Sequence, residues 1–395
     1  MKFRIFFRFT TVMILYYISC CAIMGFAALF MQSRGFTNTE TGLFFTCSSF
    51  LCIVQQMLYA VALDRFPRLS ARHFLLGFGV ISILLGILLS FTTKKTVLFI
   101  CYTLLNSCIL TSSSLINTFG IEFVNAGIPL NFGLARGLGS LSYACSSLFL
   151  GNIISHYSVS VILPLHIATQ CVLLLLLSLH TVNTPGSSTM PTELPSESSH
   201  NMLSFLRANP FLLLLFTGML LLYFSYTVIN NFHINIIEAT GGGSRELGIS
   251  TSIAALLELP AMAAFTPLSR KILPRTLLLI SCVFFFLKIS MLFFAGNIID
   301  VYASQILQFF SYGIFVPAST YYINSILPPC DKMKGQSALG IFTFGLSGLI
   351  SSLLCGALLD LFSVKIMLGC FSLLALAGLI ITIIACRKLH AYETL

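Results

Sequence analysis

Residues His180–Asn209 read HTVNTPGSSTMPTELPSESSHNMLSFLRAN and form the only long polar stretch in a chain of 395 residues. Pro185, Gly186, Pro191 and Pro195 among many serines have the composition of a flexible linker. On both sides the chain is apolar. Breaks at charged, Gly/Pro or Asn-rich points mark spans at 10–31, 41–62, 73–91, 97–119, 133–155 and 160–180 before it. After it they mark 210–236, 247–268, 275–295, 299–326, 335–359 and 364–386. A helix needs about 20 apolar residues to cross a bilayer. The linker therefore separates six spans from six, and predicts bundles at 1–182 and 208–395 joined by 183–207.

Composition agrees. The chain is 57% hydrophobic and 8% charged, with a mean hydropathy of +0.97. Soluble domains carry about 25% charged residues, so an ordinary soluble enzyme is excluded. Disorder, which needs few apolar residues, is excluded too. The expected fold class is an all-α polytopic membrane protein with about twelve transmembrane helices. Net charge is +9, but the basic residues sit in short loops, which implies membrane orientation rather than a nucleic-acid partner. The cysteines fall mostly inside spans, where they act as small hydrophobes and outline no disulfide framework. Trp is absent, so interfacial belts would rely on Tyr. The run from Phe9 to Met31 is too long for a signal-peptide core, so a retained first span is expected.

With the N-terminus in the cytoplasm, fifteen of the 21 Lys and Arg residues fall on the cytoplasmic side and five on the other. That bias places both termini and the linker in the cytoplasm of a multi-pass cell-membrane protein. Lys288 alone of these falls within a span. An ionisable group near the bilayer centre costs about 2.5–3.5 kcal/mol on insertion scales and normally has a function. Glu122, Arg136, Glu258 and Lys288 are the four candidates. Arg136, Ser140 and Tyr143 are spaced i, i+4, i+7 and share a helix face. A guanidinium fork above an aromatic platform suits a polyhydroxylated ring; the alternative is a snorkelling Arg and a packing Tyr. Glu258, in Glu258-Leu259-Pro260, must be protonated or paired among Ala and Leu, and can take up a proton or accept hydroxyls. The alternative is a structural carboxyl bonded to a neighbouring helix. Pro260 is a candidate kink exposing carbonyls to a cavity. Lys288 can pair with an acid or simply snorkel along Phe neighbours.

Six spans plus six around a central cytoplasmic linker resembles the major facilitator superfamily. Ala60-Val61-Ala62-Leu63-Asp64-Arg65-Phe66-Pro67-Arg68 is similar to its G-x-x-x-D-R-x-G-R loop, with Asp64, Arg65 and Arg68 matching and Ala60 and Pro67 replacing glycines. Gly356-Ala357-Leu358-Leu359-Asp360 carries a related G-x-x-x-D. Phe132, Gly133, Ala135, Arg136 and Gly139 resemble the span-5 signature of the sugar and nucleoside proton symporters, with Tyr143 where a stacking Trp is usual. Thr41-Gly42-Leu43-Phe44 and the Glu258-x-Pro260 opening of span 8 fit the same group. The resemblance implies two pseudo-repeat halves with a solute site near the midplane. It also implies that Glu122 partners Arg136, that Glu258 binds solute and carries the proton, and that Lys288 modulates it.

The resemblance fails where those symporters keep further acids and bases. Span 10 places Gln305, Gln308 and Ser311 at the Lys, His and Glu positions, and span 7 places Thr227 and Asn230 at the Asp positions. Neutral amides can donate and accept to hydroxyls or a nucleobase, so Gln305, Gln308 and Asn230 join the expected solute-binding set; they can equally join helices. Tyr312 shares the face of Gln305 and Gln308. His233, near the outer end of span 7, is expected to be a solvated interfacial residue. Asn106, Gln55 and Gln56 extend polar faces in the N-terminal half.

No H-E-x-x-H, G-x-S-x-G or G-x-x-x-x-G-K motif occurs, and no two His fall at metal-ligand spacing. No enzyme, catalytic residue, cofactor or metal is expected. The sequence reads as a monomeric, proton-coupled importer of a small neutral hydroxylated solute, either sugar, oligosaccharide or nucleoside. The alternative is an exporter of hydrophobic compounds.

Overall fold

A computed structural model describes residues 2–66, 69–125, 132–179, 199–329 and 331–393. Arg68 lies outside the described residues, as do the side chains of Asp64 and Glu122. The described residues are helical, without a strand. In chain order the helices are α1 (Lys2–Cys20), α2 (Ala27–Ser33), α3 (Asn38–Arg65), α4 (Ala71–Phe91), α5 (Lys95–Asn125), α6 (Phe132–His156) and α7 (Ile162–Ser178). Next come α8 (Ser199–Ala208), α9 (Pro210–Asn231), α10 (His233–Ala239), α11 (Ser244–Ser269), α12 (Pro274–Phe294) and α13 (Ile298–Ile306). The last are α14 (Ile314–Ile326), α15 (Lys332–Gly340), α16 (Ser347–Leu361) and α17 (Val364–Glu393).

Among the described residues, eleven stretches are long and apolar enough to cross a membrane. The tenth expected span, 299–326, is divided: α13 ends at Ile306, and a π-helical turn at Phe309–Gly313 precedes α14. π-Helical turns also interrupt the first span at Cys21–Gly25 and the eleventh at Ile341–Leu346. The spans at 10–31, 299–326 and 335–359 thus each contain a π turn, and the span at 210–236 bends at Phe232 between α9 and α10. Hydropathy counts apolar residues and is blind to an extra residue in one turn.

The chain forms two compact units. The first comprises residues 1–36 and 44–194, the second 37–43 and 195–395, so α3 begins in the second unit and continues in the first. In the first unit, α1 packs on α6 and α7, and α4 on α5. The buried Ser19 hydroxyl meets His166 Nδ1 at 2.8 Å and accepts from Gln170 Nε2 at 3.0 Å, tying α1 to α7. Gln55 and Gln56 tie α3 to α5 through Ser107, Thr111 and Ser114, which is the helix-joining use of amides. In the second unit, α9 lies against α17, where a Cβ on Gly378 would stand 2.7 Å from the Gly218 carbonyl.

The two units repeat one local design. In the first, the chain turns at Phe26 (φ −114°, ψ 16°), forms the seven-residue α2 and leaves through Gly35 at φ 77°. In the second it turns at Phe232 (φ −117°, ψ 30°), forms the seven-residue α10 and leaves through Gly241 at φ 84°. Only glycine adopts such φ at little cost. The next helix is then capped by a glutamate: Thr37 N–H donates to Glu40 at 2.8 Å, and Gly243 N–H to Glu246 at 2.8 Å. Each pair keeps one offset (241 − 35 = 206, 246 − 40 = 206), which is the mark of an internal repeat.

Candidate functional site

The polar side chains of the second unit converge behind a close approach of two backbones. The π turn after Gln308 closes with Gly313 N–H donating to the Gln308 carbonyl at 3.1 Å, five residues back. Gly313 faces Ala261 of α11, and a Cβ at Gly313 would collide with the Ala261 methyl. Two small residues thus let the broken tenth span lie against α11, where Glu258 sits one turn before Ala261. Pro260 falls inside α11, which runs without a break from Ser244 to Ser269. The expected unwinding is absent, although Pro260 withholds its N–H from the Leu256 carbonyl.

Lys288 of α12 is buried, with 4% of its surface exposed, and is not a snorkelling lysine. Its ammonium donates to Gln305 Oε1 at 2.9 Å and to Gln308 Oε1 at 2.5 Å. Gln308 and Gln305 lie three residues apart around the end of α13, so both amides reach one cation. Gln308 then donates from Nε2 to Glu258 Oε1 at 2.7 Å. In the other direction, Gln305 Nε2 faces His233 Nε2 at 3.4 Å, and the Ser250 hydroxyl lies 3.0 Å from the same nitrogen. The result is one chain of contacts: Glu258, Gln308, Lys288, Gln305, His233, Ser250. It draws on α10, α11, α12, α13 and the turn that follows.

The direction of each bond follows from chemistry. An ammonium has only donors, so both amides must turn their oxygens to Lys288 and their NH2 groups outward. Both outer partners must then be acceptors. A buried cation this deep needs hydrogen-bond partners, and the two amide oxygens take two of its three donors.

One turn beyond Gln308, Tyr312 stacks on Tyr226 of α9 with ring centroids 4.4 Å apart and planes 2° from parallel. Tyr223 and Phe285 pack on the pair, and Phe315 packs on both of them. Tyr226 and Tyr312 are half-buried, offering an aromatic face beside the polar chain.

The sequence-expected residues divide accordingly. Glu258, Lys288, Gln305 and Gln308 come together. Asn230 does not join them: it is exposed and donates to the Tyr226 carbonyl at 2.8 Å. Thr227 and Asn231 bond Ser347 and Ser352 of α16 at 2.7 and 2.8 Å, joining helices. Arg136 and Tyr143 of α6 are half-buried in the first unit, where the Tyr143 hydroxyl lies over Gly25 of the first π turn. Arg65 is exposed at the end of α3. His233 is corrected: it is 6% exposed and bonded within the chain, not solvated. Its burial comes from the break at Phe232, which redirects α10 and cannot be read from hydropathy. Asp360, at the end of α16, accepts from Asn38 N, Asn38 Nδ2 and Thr39 N at 3.0, 2.9 and 2.7 Å. It caps the start of α3, the favourable place for an acid. No group of metal-ligating side chains occurs among the described residues.

Residues 6–368 match the family described as MFS_1 like. The chain belongs to this family of the major facilitator superfamily. No curated protein matches it in sequence. Among solved structures, the nucleoside transporter NupG is similar over 97% of this chain and 98% of its own, with TM-score 0.79 and 14% identity. A bacterial homologue of the human lysosomal transporter Spinster, inward-facing and unoccupied, is similar over 98% of this chain and 96% of its own, with TM-score 0.69 and 14% identity. At such identity the likeness is one of fold. The family and the fold are those of membrane transporters rather than enzymes.

Proposed function

We propose that this MFS_1-like chain is a proton-coupled importer of a small neutral hydroxylated solute, a sugar, oligosaccharide or nucleoside, working by alternating access in the cell membrane with both termini cytoplasmic. The observation that carries the reading is the chain of hydrogen bonds running from half-buried Glu258 through buried Gln308 to buried Lys288. A carboxylate and a cation held apart by one amide can exchange partners when a proton or a hydroxylated solute arrives. Two separated charges in a packed core, without such exchange, would serve stability poorly. Glu258 carries the proton in this reading and Lys288 adjusts its readiness to release it. Gln305 and Gln308 offer amides to solute, and the Tyr226–Tyr312 stack, a feature the sequence reading did not single out, offers a flat face to a sugar or base. Arg136 and Tyr143 are assigned to solute binding, with Glu122 as the partner of Arg136. Asn230, exposed in this structure, keeps a solute role only as a residue at the edge. Asp64, Arg65 and Arg68 are assigned to the cytoplasmic loop after the second span. The six-plus-six division at 183–207 and a monomeric working unit belong to the same proposal.

The test is tracer uptake into proteoliposomes under an inward proton gradient, with nucleosides, oligosaccharides and lipophilic cations as competitors. Competition by a hydroxylated class supports the proposal. Competition by lipophilic cations alone replaces it with export of hydrophobic compounds.

A further inference from the structure

We infer that neutral His233 is a positioning residue for the proton site at Glu258, acting through the fixed polarity of Gln305, Lys288 and Gln308; this rests on the reading of Glu258 as the proton carrier. The argument begins with Lys288. Its ammonium fixes both amide oxygens toward itself at 2.9 and 2.5 Å. Gln305 is then obliged to offer NH2 to His233 Nε2, and Gln308 to offer NH2 to Glu258 Oε1. Gln305 is 1% exposed and Gln308 2% exposed, so neither can satisfy a turned amide with bulk water.

Each end therefore has a fixed polarity, with an acceptor facing each amide NH2. His233 accepts at Nε2 only when that nitrogen carries no proton. A charged imidazole would set N–H against NH2, and Gln305 would have to turn end for end. Turning it swings NH2 onto the ammonium and removes an oxygen that Lys288 needs. At the other end Gln308 NH2 keeps Glu258 Oε1 as an acceptor, so a proton taken up by Glu258 sits on Oε2 and leaves that bond in place. The two ends are thus tied through two amides to a single donor-only cation.

The groups around His233 are few. Ser250 of α11 lies 3.0 Å from its Nε2, and Gln305 of α13 lies at 3.4 Å. Lys288 of α12 is the charged group whose field acts on it. Among the described residues, no charged group of α9 or α17, which also pack on α10, acts on it.

Two substitutions separate positioning from bulk. His233→Leu removes the acceptor and leaves the buried Gln305 NH2 unpaired, so the amide loses the outer anchor that seats its oxygen on Lys288. His233→Gln keeps a neutral acceptor oxygen at about the place of Nε2 and cannot charge. Infrared titration of the full chain in lipid reads the carboxylic C=O band that Glu258→Gln abolishes, independently of transport. His233→Leu should move the proton concentration at half-protonation of that band by about tenfold, because Gln305 is then seated less firmly on Lys288 and the ammonium leans more on Gln308, the partner of Glu258. His233→Gln should return it to the wild-type position, and the pH profile of solute uptake should follow both changes. A band that titrates alike in wild type and His233→Leu overturns the inference. So does an equal shift in both variants, which would mark a purely structural role. If no titrating band disappears in Glu258→Gln, the proton-site reading fails first, and the inference with it.

Discussion

Removing Gln305 is expected to be far more costly when Lys288 is present than when it is absent. In the wild type, Gln305→Leu deletes one of two amide oxygens that hold a buried ammonium. A hydrogen bond to a charged group contributes about 1.5–3 kcal/mol, and the buried cation is left under-satisfied, so a loss of about 3 kcal/mol is expected. Lys288→Met alone behaves differently. It orphans two amide oxygens at about 1–3 kcal/mol each, but it also abolishes the cost of holding a charge inside, itself several kcal/mol. The net change is expected to stay within about 2 kcal/mol, with opposing terms of similar size. In the Lys288→Met background, Gln305 Oε1 is already unpaired, and Gln305→Leu should be neutral or slightly stabilising. The cycle therefore carries a coupling of about 2–3 kcal/mol. Reversible unfolding in mixed micelles with increasing SDS, on the four proteins at one pH, measures it. Additive losses would show that Lys288 does not depend on Gln305, and the polarity argument built on that bond would be wrong.

Gly378→Val should force α17 off the Gly218 carbonyl and lower stability by about 1–3 kcal/mol, the usual result of overpacking; a thermal unfolding scan in detergent checks it. Gly356 lies against the Asn38 carbonyl, so Gly356→Leu should push the start of α3 off α16 and break its three bonds to Asp360. Hydrogen exchange at the Asn38 and Thr39 amides should then accelerate by about tenfold or more, while the amides of α12 remain protected. Unchanged exchange at Asn38 and Thr39 would refute the contact.

The architecture was legible because bilayer crossing imposes length and hydropathy on every span, and the Ser/Pro-rich stretch at 180–209 punctuates them. Glu258 and Lys288 were legible because charge is rare inside apolar runs. Their connection was not. Gln305 and Gln308 announced a polar face, yet only the interruption after Ile306 and the π turn that follows show both amides meeting one lysine. His233 was misjudged for the same kind of reason: sequence places it near a span end, whereas the break at Phe232 turns it inward toward Ser250 and Gln305. Tyr226 and Tyr312 are far apart in sequence, and no local pattern signals a stack assembled by two helices. The position of Asn230 was not legible either, since a helical spacing of three from Thr227 does not say which side of α9 faces the polar chain.

The most direct measurement of the central claim is proton movement driven by solute, followed with a pH dye trapped in proteoliposomes holding wild type or Glu258→Gln. The account predicts internal acidification on adding a nucleoside or oligosaccharide to the wild type, and none with the variant. Solute uptake without acidification, or acidification unchanged in Glu258→Gln, would contradict it.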